Sequence, residues 1–192
     1  MPRIPFEPKP PDKVFSLATP NHLYYKLLWE LQNLDTALKD KQSWQHSPAP
    51  YHAFNFAVTS AHLIDWVYAT SDDKSRKRIS DSLGNAPVDT RRKFRDAVAT
   101  RYHEIYICVQ IANGSKHYET QRHRDNDPNI GASAEWEYDE STDSAATVLR
   151  IRDGAASRLA LDVFREAATA WDHLLGAWGY LEDRFVDGRD TD

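Results

Sequence analysis

A single cysteine, Cys108, occurs in this chain, which excludes an internal disulfide and any zinc site built on cysteine thiolates. Its neighbours are apolar and helically spaced, as around a buried thiol. No apolar run approaches the roughly 20 residues that a membrane-spanning helix needs, and the first residues carry no signal-peptide stretch, so a cytoplasmic location is expected. Also missing are a glycine-rich phosphate loop, a Gly-x-Ser-x-Gly elbow, and His-Glu-x-x-His or Glu-x-x-His patterns. These absences remove common signatures of nucleotide hydrolysis, ester hydrolysis and helix-borne metal binding. No cofactor is expected.

The chain does hold 192 residues, 41% of them hydrophobic, with 6 Trp, 9 Tyr and 7 Phe. That composition describes one globular domain with a real core. The net charge of −5 conceals an asymmetry. Residues 74–101 carry nine basic side chains against three acids, a balance of +6. From Asp125 to Asp192 sixteen acids face six basic residues, a balance of −10. Lys74, Arg76, Lys77, Arg78, Arg91, Arg92, Lys93 and Arg95 are therefore candidates for holding a phosphate backbone, and a solvated basic surface is the competing reading.

Residues 1–20 hold six of the ten prolines and read as an extended arm, because proline lacks the backbone donor of helix and sheet. Thr19 and Pro20 then supply an N-cap and a first helical residue, followed to about Asp40 by leucines at 23, 27, 28, 31, 34 and 38 at helical spacing. A second helix is expected over Tyr51 to Thr70, with Phe54, Ala57, Val58, Ala61, Ile64 and Tyr68 on one apolar face. A short basic helix from Asp72 to Leu83 follows, closed by Gly84, and one long helix should run from Pro87 and Asp89 towards His117. Alternation at Ala134, Trp136 and Tyr138 and again from Thr147 to Arg152 predicts half-buried strands, with an Asp153-Gly154 turn. Asp162 is expected to cap the last helix, whose stripe includes Phe164, Trp171, Leu174 and Trp178.

Polar residues interrupt these apolar helices in a regular way. His103, Tyr106, Gln110, Asn113 and His117 follow one another at spacings of three, four, three and four and share a helix face. On the second helix Asn55, Thr59, His62 and Trp66 form a similar stripe, with Asp65 nearby. Buried polar groups left unpaired cost about 1–3 kcal/mol each. The stripes therefore satisfy one another as a polar core, or hold water or a ligand. A site of His62, His117, His173 and Asp65 around zinc or iron is the metal-binding alternative. Trp29, Trp66, Trp171 and Trp178 are expected to pack in the core.

The segment Ile111-Ala112-Asn113-Gly114-Ser115-Lys116-His117 resembles the Arg-Asn-x-x-x-His motif of HEPN domains. These are helical bundles, many of them metal-independent ribonucleases or partners of nucleotidyltransferases. Asn113 and His117 match the motif's Asn and His, and Ala112 stands where the family has its arginine. The resemblance implies a dimer that brings two motifs together, with His117 as the proton-transfer group and Asn113 fixing its tautomer. Alanine cannot neutralise a phosphate, so Lys116, Arg122 or Arg124 would have to supply the cation.

The expectation is thus a mainly α up-and-down bundle over residues 21–186, with a small antiparallel β insertion at about 132–160 and an acidic tail at 187–192. Functionally it is an RNA-associated accessory or defence protein with ribonuclease activity absent or altered, metal-independent if present. A homodimer and a protein partner bound through the arm are expected. The alternatives are a non-catalytic scaffold and a metal- or small-ligand-binding bundle.

Overall fold

The computed structural model describes residues 15, 17–40, 47–114, 127–141 and 143–181. Lys116, His117, Arg122, Arg124, most of the proline-rich arm and the acidic tail lie outside them. Six helices and three strands are described, in the order α1 (Pro20–Lys39), α2 (Ala49–Thr70), α3 (Asp73–Ser82), α4 (Arg91–Arg101), α5 (His103–Gly114), β1 (Ile130–Asp139), β2 (Ser144–Asp153), β3 (Ala156–Leu159) and α6 (Ala160–Trp178). The chain is mainly α, with a three-stranded antiparallel meander ahead of the last helix.

Helix starts follow the capping residues. Thr19, Asp72 and Thr90 each accept a backbone N–H three residues on, satisfying one of the donors a helix start leaves open. Asp162 does not cap α6. That helix begins two residues earlier at Ala160, after Leu159, and Asp162 lies in its first turn. Gly179 ends α6 at φ +80°, a left-handed geometry that favours glycine.

The core lies among α1, α2, α5 and α6. Leu27, Leu34, Phe56, Leu63, Val67, Ile105, Ile107, Cys108 and Trp171 are sealed from solvent, and Phe56 stacks on Phe164 with ring centroids 4.6 Å apart. Trp171 donates its indole N–H to Ser60 Oγ at 2.8 Å. Burial pushes the Cys108 thiol up to about 12, which makes it an inert packing group.

Three expectations about helices change. The long helix breaks at Tyr102, which is extended at φ −130° and ψ 94°. Upstream of the break only Phe94 and Val98 of α4 are buried; downstream α5 is buried around most of its girth. The break thus separates a segment with one buried edge from a segment that lies in the core. Ala57 and Ile64 of the expected α2 face are buried, but the core side of the helix also carries Phe56, Ser60, Leu63 and Val67, whereas Phe54 is exposed. Trp29 is exposed as well, while Trp171 and Trp178 are buried as expected.

β2 alternates as the sequence indicates, with Thr147, Leu149 and Ile151 buried. β1 pairs with it from Ile130↔Asp153 to Asp139↔Ser144 but stays exposed from Ala132 to Tyr138. Trp136 and Tyr138 are surface residues: β1 is an edge strand that meets the helices chiefly at α5, whereas the central strand β2 packs against α1, α2 and α6. The Asp153-Gly154 turn is present, with Gly154 at φ +60°.

Candidate anion-binding cleft

The basic segment divides into two parts with different work. On α3, Arg76 lies 4.5 Å above the Tyr68 ring, Arg78 donates to the Trp178 carbonyl at 3.2 Å, and Lys77 pairs with Asp81. The two arginines tie α3 to its neighbours. On α4, Lys93 pairs with Asp89, but Arg91, Arg92 and Arg95 line a cleft system between α2, α4 and α5. Lys74 is exposed on α3.

Two clefts meet here, of about 610 and 620 Å³, and both are bordered by Arg92, Arg95, Val109 and Asn113. The cleft on the α2 side adds Arg91, His62 and Asp65 beside apolar walls from Phe54, Val58, Ala61, Ile64 and Ala112. Three arginines there face one carboxylate. The cleft on the α5 side adds Thr100, His103, Tyr106, Gln110, Asp96 and Asp127, so its formal charges balance. The apolar face read from Phe54, Val58, Ala61 and Ile64 is thus a wall of the cleft as well as a margin of the core.

Each arginine has a carboxylate neighbour. Arg91 Nε lies 3.4 Å from Asp65 Oδ1, Arg92 Nε 3.7 Å from Asp96 Oδ2, and Arg95 Nη2 3.3 Å from Asp96 Oδ1. Solvent-exposed pairs of this kind are worth about 0–1 kcal/mol. A phosphate offering two oxygens to a guanidinium fork competes well with them.

The polar stripes are only partly a polar core. Thr59 and Gln110 are buried; Asn55, His62 and His103 are exposed, with Asp65, Tyr106 and Asn113 between. Thr59 accepts from Lys26 Nζ at 2.6 Å, and Lys26 also pairs with the buried Glu30. Gln110 Oε1 accepts the Asp127 backbone N–H at 2.8 Å. Of the exposed members, His62 lines the α2-side cleft and His103 the α5-side cleft, whereas Asn55 lines neither. Both stripes border the same cleft system, with Asn113 at the join.

Asp127 organises the α5 side. Its carboxylate accepts the Asn129 N–H and the Tyr106 hydroxyl, each at 2.9 Å, and the Asn129 N–H followed by the Tyr106 hydroxyl holds its pKa below the ordinary carboxylate value. Burial and this bond push the Tyr106 phenol up to about 12, so it stays a donor at neutral pH. A depressed folded pKa gives stability that is present above the unfolded carboxylate value of about 3.9 and lost as pH falls through the folded value. Tyr106→Phe is expected to move the Asp127 titration, followed by carboxyl NMR, back towards the ordinary range; an unmoved titration would refute the role of the phenol.

Among the described residues, no group of three or more His, Cys, Asp and Glu side chains is placed to hold a metal ion. His173 Nδ1 lies 3.2 Å from the Tyr102 hydroxyl, and Asp65 is beside Arg91, so this part of the proposed metal set is drawn to other partners. Among the described residues no helix is long and apolar enough to cross a membrane. No family model, curated protein or solved structure matches the chain. Fold and site together define a mainly helical bundle with an arginine-lined, partly apolar cleft.

The sequence points to Asn113 and to the basic residues of α4 for the same RNA, and the structure brings Arg92, Arg95 and Asn113 to one border. Sequence reasoning missed Asp127, Asp153 and Phe54 as cleft or near-cleft residues. The Asp153-Gly154 turn and the apolar face containing Phe54 were visible, but neither signal carried a hint of its partner across the fold.

Proposed function

We propose that this chain is an RNA-associated helical protein, HEPN-like in α5, that holds a single strand in the cleft between α2, α4 and α5. The observation that carries this reading is the convergence of Arg91, Arg92 and Arg95 with Asn113 beside an apolar wall. The cation absent at Ala112 is replaced from a neighbouring helix. Guanidinium groups take the phosphates, and Phe54 with Val58 and Ala61 offers a surface on which a base can lie. Phosphate contacts carry no sequence information, so little sequence preference is expected. The defence or accessory role, the homodimer and a protein partner for the N-terminal arm belong to the same proposal, and light scattering with co-purification tests the last two.

Fluorescence anisotropy of a labelled single-stranded RNA over a salt series tests the binding. Three arginine–phosphate contacts predict a slope of about −2 in log K against log salt, from roughly −0.7 per phosphate on a single strand. No binding at low salt, or binding indifferent to salt, rejects the reading.

A further inference from the structure

We propose that His103, held by Asp153, is the general base of a phosphodiester-cleaving site in this cleft, with Arg92 and Arg95 as the cations that meet the phosphate. The inference rests on the RNA-binding reading above and adds a reaction and a residue outside the motif.

His103 is the first residue of α5, immediately after the break at Tyr102. Its Nε2 lies 2.6 Å from Asp153 Oδ2, at the end of β2. In the neutral imidazole a carboxylate at that distance selects the tautomer with the proton on Nε2, which leaves Nδ1 as the nitrogen with a lone pair. Tyr106 stacks on the same imidazole, with centroids 5.7 Å apart and planes at 27°, and its hydroxyl is anchored on Asp127. The ring is therefore held at one edge and over one face. It remains about half exposed, at 53% of the side chain, and lines the cleft that contains Arg92 and Arg95. A base ready to accept a proton and two cations ready to stabilise charge thus share one opening.

RNA brings its own nucleophile to such a site. The ribose 2′-oxygen attacks the adjacent phosphorus, and its proton passes to His103 Nδ1. The bond from phosphorus to the 5′-oxygen breaks, and that oxygen keeps the electron pair and takes a proton from solvent. The products are a 2′,3′-cyclic phosphate and a 5′-hydroxyl, and His103 returns its proton to water. Arg92 and Arg95 offset the negative charge that builds on the phosphorane. A base placed on the apolar α2 side would set the phosphate at the shared border and the 2′-hydroxyl towards His103.

The test uses the full chain with a labelled single-stranded RNA and the same sequence carrying 2′-deoxy nucleotides. Binding by anisotropy and product by mass spectrometry are read separately. Wild type is expected to give the cyclic phosphate from RNA and nothing from the 2′-deoxy strand. His103→Asn is expected to slow cleavage about a hundredfold, within the usual contribution of a general base, while RNA affinity stays within about twofold. Asp153→Asn, which keeps a side chain near the imidazole, provides a second variant, and thermal unfolding of both confirms that they are folded. Cleavage of the 2′-deoxy strand, an unchanged rate in folded His103→Asn, or loss of activity in His117→Ala alone overturns the assignment. Wild type that binds RNA without cutting it also overturns this inference and leaves the binding reading standing; wild type that does not bind removes both.

Discussion

Trp171→Ala is expected to remove about 3–5 kcal/mol of folding free energy, the range for truncating a buried large aromatic. Trp171 is fully buried on α6, and its indole N–H reaches the equally buried Ser60 of α2. Truncation leaves a cavity where α2 and α6 meet and removes a donor to a buried hydroxyl. Domains of this kind have only about 5–15 kcal/mol of stability in total, so the variant should sit close to unfolding. Trp171→Phe is the informative control, since it keeps most of the packing and loses the indole donor, for about 1–3 kcal/mol. Urea denaturation followed by circular dichroism measures both. A loss below about 1 kcal/mol for Trp171→Ala would mean that α6 does not pack as described.

Combining Arg92→Ala with Arg95→Ala is expected to weaken single-stranded RNA binding about a hundredfold, taking each charge-assisted contact at about 1.5 kcal/mol. The salt slope should flatten by about 1.4 for the two lost phosphate contacts. These residues border both clefts, so one double variant disables the whole path. Lys74→Ala with Lys77→Ala removes the same formal charge from α3, away from the cleft lining. Its affinity should fall no more than about twofold, the small effect of distant, screened charge. Equal losses in the two variants would return the basic segment to a diffuse electrostatic surface and reject a localised cleft.

The contrast between those variants marks where the sequence stops being informative. The charge run over residues 74–101 is visible in the sequence, but Arg76 and Arg78 are engaged by Tyr68 and the Trp178 carbonyl. Local sequence carries no trace of such partners. The leucines of α1 were legible because they recur at helical spacing, and Leu23, Leu27 and Leu34 are buried, although Trp29 on the same helix is exposed. α2 was ambiguous for the opposite reason: both its sides are apolar, and periodicity does not say which one meets the core. The break at Tyr102 has neither glycine nor proline to announce it. The strands were legible from alternation, while the exposure of Trp136 and Tyr138 depends on β1 lying at an edge of the sheet. His103 and Asp153 are 50 residues apart, joined only once the meander folds back onto α5.

Ala112 is nearly buried, at 3% exposure, and its methyl group forms part of the cleft floor. The small side chain and the open space above it are therefore one fact. A guanidinium placed at position 112 would fill part of the α2-side cleft and add a like charge to the three arginines that line it. An arginine at position 112 would thus narrow the cleft, and on the proposed reading the charge that meets a phosphate comes from α4 while α5 supplies the floor.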